Sequence, residues 1–337
     1  MVSKGRLRLP VNNRRPLLKS LAHGKDTTSP STVKTHPNGS KGDENASVLF
    51  IGTATTIIEW EGIRVLTDPN FLHAGDHVHL GPGVTAERLT NPAIDLSDLP
   101  PLDAILLSHY HEDHFDKLVE ESLNRDFLII STPHANECLS SKPDPFRNIV
   151  SLDFFDHVEL AMEERKNEPA EPVINVTGMP GKHVPPGPLA AVNELLKAIP
   201  PTNGWMLEFG YRDGGEASEV RVGYRIYITG DTLFVDELKD IPKWLQSERI
   251  DMMLIHLGGT TVPSPSMPLF MVTMDAKQGL DMMKLMDPEV SVPIHYDDYD
   301  AFASPLSDFK KVVEEAGMQD RVIYLDRGEK YRFTVKD

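Results

Sequence analysis

Short apolar segments rich in β-branched residues recur through the chain, and they limit the folds that it can adopt. From residue 48 onward such runs alternate with turn-forming residues, which is typical of β-strands. The early runs follow one another without a helix between them, which disfavours a purely doubly wound parallel sheet. Strands are predicted at residues 48–51, 55–60, 63–67, 104–108, 127–131, 174–178, 205–209, 224–229, 252–257, 291–294 and 322–325.

Helices are predicted late in each half of this pattern. They cover residues 114–123, 235–246, 275–286 and 305–316. In the third of them Ala276, Leu280, Met283 and Met286 recur at helical spacing, which indicates packing against a core. Strands followed by helices in both halves predict an α/β (α+β) fold, with two mixed sheets covered by helices on their outer faces.

Composition excludes several classes of protein. The longest nearly apolar run, residues 267–274, is far below the roughly 18 residues that a membrane span requires. A single cysteine, Cys138, excludes an internal disulfide and a cysteine-rich zinc finger. The net charge is −17 and the acids lie in the body, so nucleic acid is disfavoured as a partner. We expect a small-molecule substrate, no stable membrane insertion and, as an open possibility, a homo-oligomer.

The start of the chain differs from the body in charge. Residues 1–42 hold nine Lys or Arg and one acidic residue, without a hydrophobic period. We predict a flexible basic tail over residues 1–45 and a single domain over residues 46–337. The Arg-rich start resembles a mitochondrial presequence, but Pro10 and Pro16 would break an amphipathic helix there. A cytoplasmic protein with a solvated tail is therefore favoured, and a mitochondrial location is the alternative.

One motif carries most of the chemistry, and it directly follows the predicted strand at residues 104–108. His109, His111, Asp113 and His114 fall within six positions at a strand-to-helix junction. Alternate side chains of a strand point the same way, so His109 and His111 can share one metal ion. The chain then turns, and Asp113 and His114 can reach a second metal nearby. Imidazole and carboxylate ligands suit Zn²⁺, Mn²⁺ or Fe.

Three further residues extend this set. His183, Asp231 and His295 each follow an apolar segment, at a point where a turn exposes the side chain. Taken singly, each of them could be a cap or a surface residue. Together with the first cluster they are better explained as metal ligands.

At this point the sequence resembles the metallo-β-lactamase superfamily, over about residues 47–330. The resemblance rests on the His-x-His-x-Asp-His cluster followed in order by His183, Asp231 and His295. The segments at residues 50–56, 66–69 and 292–296 resemble the branch that includes ascorbate-phosphate lactonase. N-acylphosphatidylethanolamine-hydrolysing phospholipase D is a more distant relative. The resemblance implies a four-layer αββα sandwich with two metal ions at the edge of the sheets.

Carried over residue by residue, the resemblance assigns every ligand. It implies that the first metal is held by His109, His111 and His183, the second by Asp113, His114 and His295, and that Asp231 bridges both. Asp68 corresponds to a buried aspartate beneath the segment His109–His114, which we call the ligand loop. There it would accept a hydrogen bond from a ligand or its backbone. The alternative for Asp68 is a simple turn residue before Pro69.

Other histidines leave alternatives open. His256 stands where compared relatives commonly have proline, and it would either assist catalysis by stabilising an oxyanion or be a core histidine bonded to backbone. His73, His77 and His79 lie in a Gly- and Pro-rich stretch, residues 73–91, which we predict to be a loop. His77 and His79 are candidates for lining a substrate pocket, although solvated loop positions are the simpler interpretation. Residues 181–201 are predicted to be a second pocket-forming loop.

The function that follows is a dinuclear metal-dependent hydrolase. Two divalent ions, with Zn²⁺ expected and Mn²⁺ or Fe²⁺ as alternatives, would activate a bridging hydroxide that opens a small cyclic ester or amide. Asp113 would both bind a metal and pass a proton to the leaving group. The alternative is a phosphodiesterase, including a phospholipase D-type activity. A non-catalytic scaffold is disfavoured because no ligand position is lost.

Overall fold

The computed structural model describes residues 2–10, 14–19, 29–81, 83–163, 170–187, 190, 193, 199–213, 218–264 and 266–337. The strands of the described part are β1 (Ser3–Leu9), β2 (Val33–Lys34), β3 (Ala46–Gly52), β4 (Thr55–Trp60), β5 (Ile63–Thr67), β6 (His77–Gly81), β7 (Val84–Glu87), β8 (Ala104–Leu107), β9 (Ile129–Ser131), β10 (Ile149–Ser151), β11 (His157–Met162), β12 (Ala170–Pro180), β13 (Asn203–Asp213), β14 (Val220–Ile228), β15 (Met252–His256), β16 (Gly258–Ser264), β17 (Met267–Met271), β18 (Val290–Ile294), β19 (Phe302–Ser304) and β20 (Lys330–Phe333). The α-helices of the same part are α1 (Lys117–Ser122), α2 (Pro133–Ser140), α3 (Asp240–Leu245), α4 (Ala276–Met286) and α5 (Leu306–Glu315).

Two mixed sheets dominate the described residues. The first sheet has the order β1-β11-β12-β13-β14-β15-β18, and the second has the order β10-β9-β8-β5-β4-β3-β20-β2. Strands β3, β4 and β5 form an antiparallel meander, as the absence of helices between them predicts, whereas β5, β8, β9 and β10 pair in parallel.

The central strands of both sheets are buried on both faces, which explains their nearly continuous apolar sequences: β3, β4, β5, β8, β9, β15 and β18. In β3, Val48 and Phe50 point into a core shared with the first sheet, whereas Leu49 and Ile51 point towards α1 and α2. The outer face of the first sheet packs against α3, α4 and α5. The layers are therefore helix, sheet, sheet and helix, and the predicted αββα fold class is confirmed.

The structure differs from the expectation of a flexible tail before residue 46. Strand β1 pairs in parallel with β11, and β2 pairs in parallel with β20. Arg6 lies 2.8 Å from Glu159, and Arg8 pairs with Glu171, so the charges that suggested solvent instead form ion pairs. Residues 1, 11–13 and 20–28 of the expected tail lie outside the described residues. The division of the chain at residue 46 stays a prediction.

Three local expectations also need correction. Residues 73–91 contain the hairpin of β6 and β7 rather than only a loop. The strand expected at residues 322–325 is reduced to an isolated bridge between Val322 and Ser291. Helix α2 was not predicted, although Thr132 caps it by accepting a hydrogen bond from the Ala135 amide at 3.1 Å. No helix in the described ranges is long and apolar enough to cross a bilayer.

Candidate metal centre

The candidate ligands lie where neighbouring strands end at one edge of the two sheets. The His109–His114 cluster follows β8, and Asp68 follows β5, which is parallel to β8. In the first sheet, β14, β15 and β18 run in parallel and lead to Asp231, His256 and His295. His183 follows β12, which has the same direction as β14 because both are antiparallel to β13.

Unusual backbone conformations aim several of these residues. His295 has a φ of +60° and Asp68 a φ of +34°, in the left-handed region that non-glycine residues rarely adopt. The His295 amide is held by the Thr53 carbonyl at 2.7 Å. Gly230 precedes Asp231 with a φ of +61°, and a Cβ there would come within 2.3 Å of the Asn203 carbonyl oxygen. Glycine is therefore required at residue 230 for Asp231 to turn inward.

Four side chains converge on one point. The Nε2 atoms of His114 and His295 lie 3.2 Å apart. Asp231 Oδ2 is 3.1 Å from the first nitrogen and 3.5 Å from the second, and Asp113 Oδ2 is 3.5 Å from His295 Nε2. All four residues are buried. Single ligand atoms from Asp113, His114, Asp231 and His295 lie within 4.8 Å of one another, so the four together could hold a metal ion.

A second cluster adjoins the first. His109, His183 and Asp231 offer ligand atoms within 4.8 Å of one another, and so do His109, His111 and Asp113. The ring centroids of His109 and His183 are 4.5 Å apart, and those of His111 and His183 are 6.4 Å apart. The structure thus brings together all seven residues that the sequence suggests as ligands, in two groups that share Asp113 and Asp231.

The unsatisfied atoms of this cluster fit a cation. The Nε2 atoms of His109, His111 and His183 and the Oδ1 atom of Asp231 are buried, and within the described residues none has a hydrogen-bond partner. Native structures rarely leave so many buried polar atoms unpaired in one place. Imidazole nitrogens and carboxylate oxygens are the donors that Zn²⁺, Mn²⁺ and Fe²⁺ accept. The donor set therefore suits a divalent metal ion.

Electrostatics agrees with this chemistry. Burial lowers the pKa of His183 to about 4, which leaves its Nε2 lone pair free to bind a metal. Burial alone would lower the pKa of His114, but the nearby carboxylates of Asp231 and Asp113 outweigh it and raise that pKa well above the ordinary value. Burial would raise the pKa of Asp231, but His114 and His295 hold it well below its usual range. The carboxylates thus favour positive charge on the side of the cluster that holds His114 and His295.

Backbone carbonyls and one carboxylate orient the histidine rings. His183 Nδ1 lies 3.0 Å from the Val272 carbonyl oxygen, and His295 Nδ1 lies 3.0 Å from that of Leu257. Asp68 Oδ2 is 3.3 Å from His114 Nδ1. In each case the partner occupies Nδ1 and leaves Nε2 directed at the cluster.

Asp68 also contacts the backbone of the ligand loop. Its Oδ1 accepts a hydrogen bond from the Ser108 amide at 2.7 Å. Asp68 is buried between β5 and β8, so it is more than a turn residue before Pro69.

His256 lies on the Asp68 side of the cluster. Its Nε2 is 3.8 Å from Asp68 Oδ2, its Nδ1 is 3.3 Å from Thr229 Oγ1, and its ring stacks on His114. Its ring is almost completely buried. These contacts favour the interpretation of a buried, supporting histidine, and a catalytic role for His256 stays a prediction.

Two cavities flank the centre. The cavity that we call the His111 cavity has a volume of about 360 Å³ and is lined by His79, Tyr110, His111, Glu112, Phe115, Lys117, Glu120, Glu121 and Lys142. The second, the His183 cavity, has a volume of about 480 Å³ and is lined by His134, Phe154, Gly181, Lys182, His183, Val184, Pro186, Ala190, Asn193, Ile199, Pro200 and Pro201. His79 thus borders a cavity beside His111, whereas His77 is exposed and is not among its lining residues.

Sequence reasoning missed a buried network behind the ligands. Arg88 is fully buried and donates hydrogen bonds to Thr53 and, at 2.8 Å, to Asn70 Oδ1. Its guanidinium also lies 3.8 Å from Asp298, whose other oxygen accepts from the Thr53 amide at 2.7 Å. Asn70 in turn donates to the carbonyl of Glu112 in the ligand loop at 3.1 Å. No periodicity or motif marks Arg88, because its partners are distant in sequence.

Comparison with known proteins agrees with the fold. A family profile described as "Beta-lactamase superfamily domain" matches residues 63–296, more than half of the chain. The chain belongs to the metallo-β-lactamase superfamily. It is 23% identical to a UPF0173 metal-dependent hydrolase of Thermodesulfovibrio yellowstonii, over 74% of this chain and 82% of that protein. The superfamily to which the chain belongs thus includes metal-dependent hydrolases.

Solved structures of other proteins share the architecture. An isothiocyanate hydrolase from gut bacteria of Delia radicum superposes with a TM-score of 0.66 at 18% identity, covering 85% of this chain and 99% of that one. A possible metal-dependent hydrolase from Veillonella parvula has a TM-score of 0.63 at 16% identity, covering 85% and 98%. At these identities the likeness concerns the fold. The narrower resemblance to the lactonase branch stays a prediction.

Proposed function

We propose that this superfamily member hydrolyses a small, uncharged cyclic ester or amide. The observation that carries the proposal is the pairing of the lysines beside the candidate metal centre. In the His111 cavity, Lys117 lies 3.2 Å from Glu112 and Lys142 lies 2.7 Å from Glu120. In the His183 cavity, Lys182 pairs with Glu237. Within the described residues these lysines are already paired, so beyond the metal ions they offer no free cation to a phosphodiester, and a neutral carbonyl needs none.

The proposed ligand assignment follows the two clusters. His109, His111 and His183 would hold one divalent ion, Asp113, His114 and His295 the other, and Asp231 would lie between them. Bound there, such ions lower the pKa of water towards about 7 and stabilise negative charge that develops on oxygen.

The protein's own groups supply orientation and proton transfer. The Val272 and Leu257 carbonyls accept hydrogen bonds from Nδ1 of His183 and His295. They thereby fix the tautomer that carries its proton on Nδ1 and keeps Nε2 free to bind a metal. Asp113 has one oxygen directed at His295 and the other 2.9 Å from His111 Nδ1. A carboxylate held in this way can take a proton from the attacking water and deliver it to the leaving oxygen or nitrogen. Asp68 holds the ligand loop in place during this transfer.

A turnover assay on metal-loaded protein tests the proposal. One arm follows acid release from a panel of lactones and lactams, and the second follows an activated phosphodiester. Because one structural neighbour is described as an isothiocyanate hydrolase, an aryl isothiocyanate forms a third arm. The double variant Asp113→Ala, His183→Ala is the blank.

Ring opening that is lost in the blank, with little phosphodiester cleavage, is the expected result. Cleavage of the phosphodiester alone would replace the proposal with the phosphodiesterase alternative and direct attention to phospholipid and nucleotide substrates. Hydrolysis of the isothiocyanate alone would also contradict a cyclic ester or amide as the substrate. It would still agree with an uncharged substrate.

A further inference from the structure

The His183 cavity is the more apolar of the two spaces beside the candidate metal centre. Its walls include Phe154, Val184, Pro186, Ile199 and the adjacent Pro200, and His183 closes one side. Its volume of about 480 Å³ is within the range of roughly 300–1,000 Å³ that small-molecule pockets span. A ligand in this cavity would therefore touch a residue that the proposed function assigns to a metal.

The polar groups of this cavity are largely occupied by the protein itself. The Asn193 carboxamide donates to the Ile199 carbonyl at 2.9 Å and accepts from the Ile199 amide at 2.9 Å. Lys182 is neutralised by Glu237. Groups that are already paired gain nothing from a polar ligand, so the cavity favours apolar surface.

The apolar wall is anchored to the same strands that position the ligands. The turn that carries Phe154 is held by the Phe155 amide, which donates to the Gly178 carbonyl at 2.6 Å. Asn203 fixes the same turn, because its side chain donates to the Leu152 carbonyl at 2.8 Å. The Asn203 amide then donates to the carbonyl of Ser108 at 3.0 Å, one residue before the ligand His109. The wall and the candidate metal centre thus form one preorganised unit.

Phe154 gives a further sign of an apolar partner. Its side chain is 39% exposed, one of the few large apolar residues in the described ranges that face solvent to this extent. An apolar ligand in the cavity would cover part of this ring and so gain hydrophobic free energy.

We propose that the His183 cavity binds an apolar substituent, an alkyl chain or an aromatic ring, carried by the substrate next to the bond that is hydrolysed. This inference rests on the proposed function and narrows its substrate class. Unsubstituted lactones would then be poor substrates, and activity would rise as the substituent fills the cavity.

Two kinds of measurement test this inference. The first compares kcat/KM for γ-lactones that carry hydrogen, propyl or hexyl at the ring carbon next to the ring oxygen. Each buried methylene is expected to raise kcat/KM about fourfold until the cavity is full. The second measures binding of 3-hexylcyclopentanone by ligand-observed NMR. This ketone has the shape of the hexyl lactone but no bond that can be hydrolysed.

Three variants locate the effect. Ile199→Trp fills the cavity and is expected to abolish both ketone binding and the preference for the hexyl lactone. Phe154→Ala removes part of the wall and is expected to lower kcat/KM for the hexyl lactone about tenfold, with little change for the unsubstituted ring. Leu89→Ala, which truncates another exposed apolar side chain away from the cavity, is the matched control.

The outcomes separate this inference from the proposed function. Lactone turnover without dependence on chain length, or full ketone binding by a folded Ile199→Trp variant, would overturn the inference and leave the proposed function standing. A third outcome is that the protein turns over no lactone, while it binds the ketone and loses this binding in Ile199→Trp. That result would contradict the proposed reaction but support an apolar ligand in this cavity. A dimer in sedimentation that Phe154→Ala dissociates would assign the wall to a subunit contact and overturn the inference.

Discussion

Asp68 and Arg88 are buried charged residues that support the candidate metal ligands through hydrogen bonds. Asp68 contacts the ring of His114 and the backbone of the ligand loop. Arg88 ties Thr53 and Asn70 together, and these two residues hydrogen-bond to the backbone at His295 and at Glu112. Neither residue is placed to touch a substrate, so each of them acts through the position of another group.

The substitution Asp68→Asn tests whether the contacts of Asp68 with His114 and the Ser108 amide raise the affinity for a metal ion. Asparagine keeps one oxygen for the Ser108 amide but presents an NH2 group to His114 Nδ1, where a carboxylate oxygen now lies 3.3 Å away. We expect metal affinity to fall by about 10- to 100-fold, as for other residues that orient metal-binding histidines. Equilibrium dialysis against buffered Zn²⁺ measures this affinity.

His256→Gln is the matched comparison, because His256 contacts the same carboxylate but is not a proposed ligand. Its effect on metal affinity should be smaller than that of Asp68→Asn. An unchanged affinity in Asp68→Asn would contradict the supporting role of Asp68.

Arg88→Met tests the buried network. Methionine fills similar space without charge. It leaves Asn70 Oδ1 and the Thr53 hydroxyl short of a donor, while Asp298 keeps its ion pair with Arg327. Leaving these buried acceptors without a donor is expected to cost about 2 kcal/mol of unfolding free energy, measured by urea denaturation. Arg147→Met, which breaks an exposed pair with Asp126, is the control and should have a much smaller effect. Equal losses in the two variants would refute the network's importance.

Among the elements, β1 shows where sequence patterns reach their limit. Its segment, Ser-Lys-Gly-Arg-Leu-Arg-Leu, has the alternation of a strand, but its charges suggest solvent when the partners are unknown. Those partners, Glu159 and Glu171, lie about 150 residues away on β11 and β12. The buried strands β3 to β5 needed no such information, because their apolar runs identify them locally.

Glu159→Gln tests the attachment of β1 through the pH dependence of stability. Burial alone would raise the pKa of Glu159, but hydrogen bonds from Arg6 and Arg212 outweigh it and hold the pKa below the ordinary value of 4.5. A lowered folded-state pKa adds stability above the unfolded-state value, and this stability is lost as the pH falls through the folded-state value. Wild type should therefore be more stable than Glu159→Gln near neutral pH, and the difference should shrink in acid.

Urea denaturation of the metal-free proteins between about pH 7 and about pH 3 measures this difference. Glu314→Gln, on the exposed face of α5, serves as the control and should track wild type throughout. A gap between wild type and Glu159→Gln that stays constant with pH would disprove the ionic attachment of β1.

For the whole molecule, the sequence could predict the layers and bring the ligand positions together, because both depend on local patterns. Apolar runs identify the strands, and residues at the carboxyl ends of parallel strands meet at one edge. The His183 cavity and the Arg88 network depend on how distant segments pack, which no local pattern records. The role of His256 stayed open for the same reason, since its neighbours Asp68 and Thr229 come from other strands.

The candidate metal centre also joins the two sheets, and this predicts a link between metal and stability. The His109–His114 cluster follows the second sheet, whereas His183, Asp231 and His295 follow the first. Without a cation, the carboxylates of Asp113 and Asp231 face each other in a buried site, so the metal-free protein should unfold at a lower temperature. With free Zn²⁺ at 100 times its Kd, binding to the folded state alone adds about 2.7 kcal/mol to the free energy of unfolding.

Calorimetry before and after chelation, and again after Zn²⁺ is restored, measures the change in melting temperature. The double variant Asp113→Ala, His183→Ala should not respond to chelator, because it lacks one proposed ligand of each proposed ion. If elemental analysis shows that the metal has left while the melting temperature of wild type is unchanged, the centre does not hold the sheets together, and the ligands must be ordered by the protein alone.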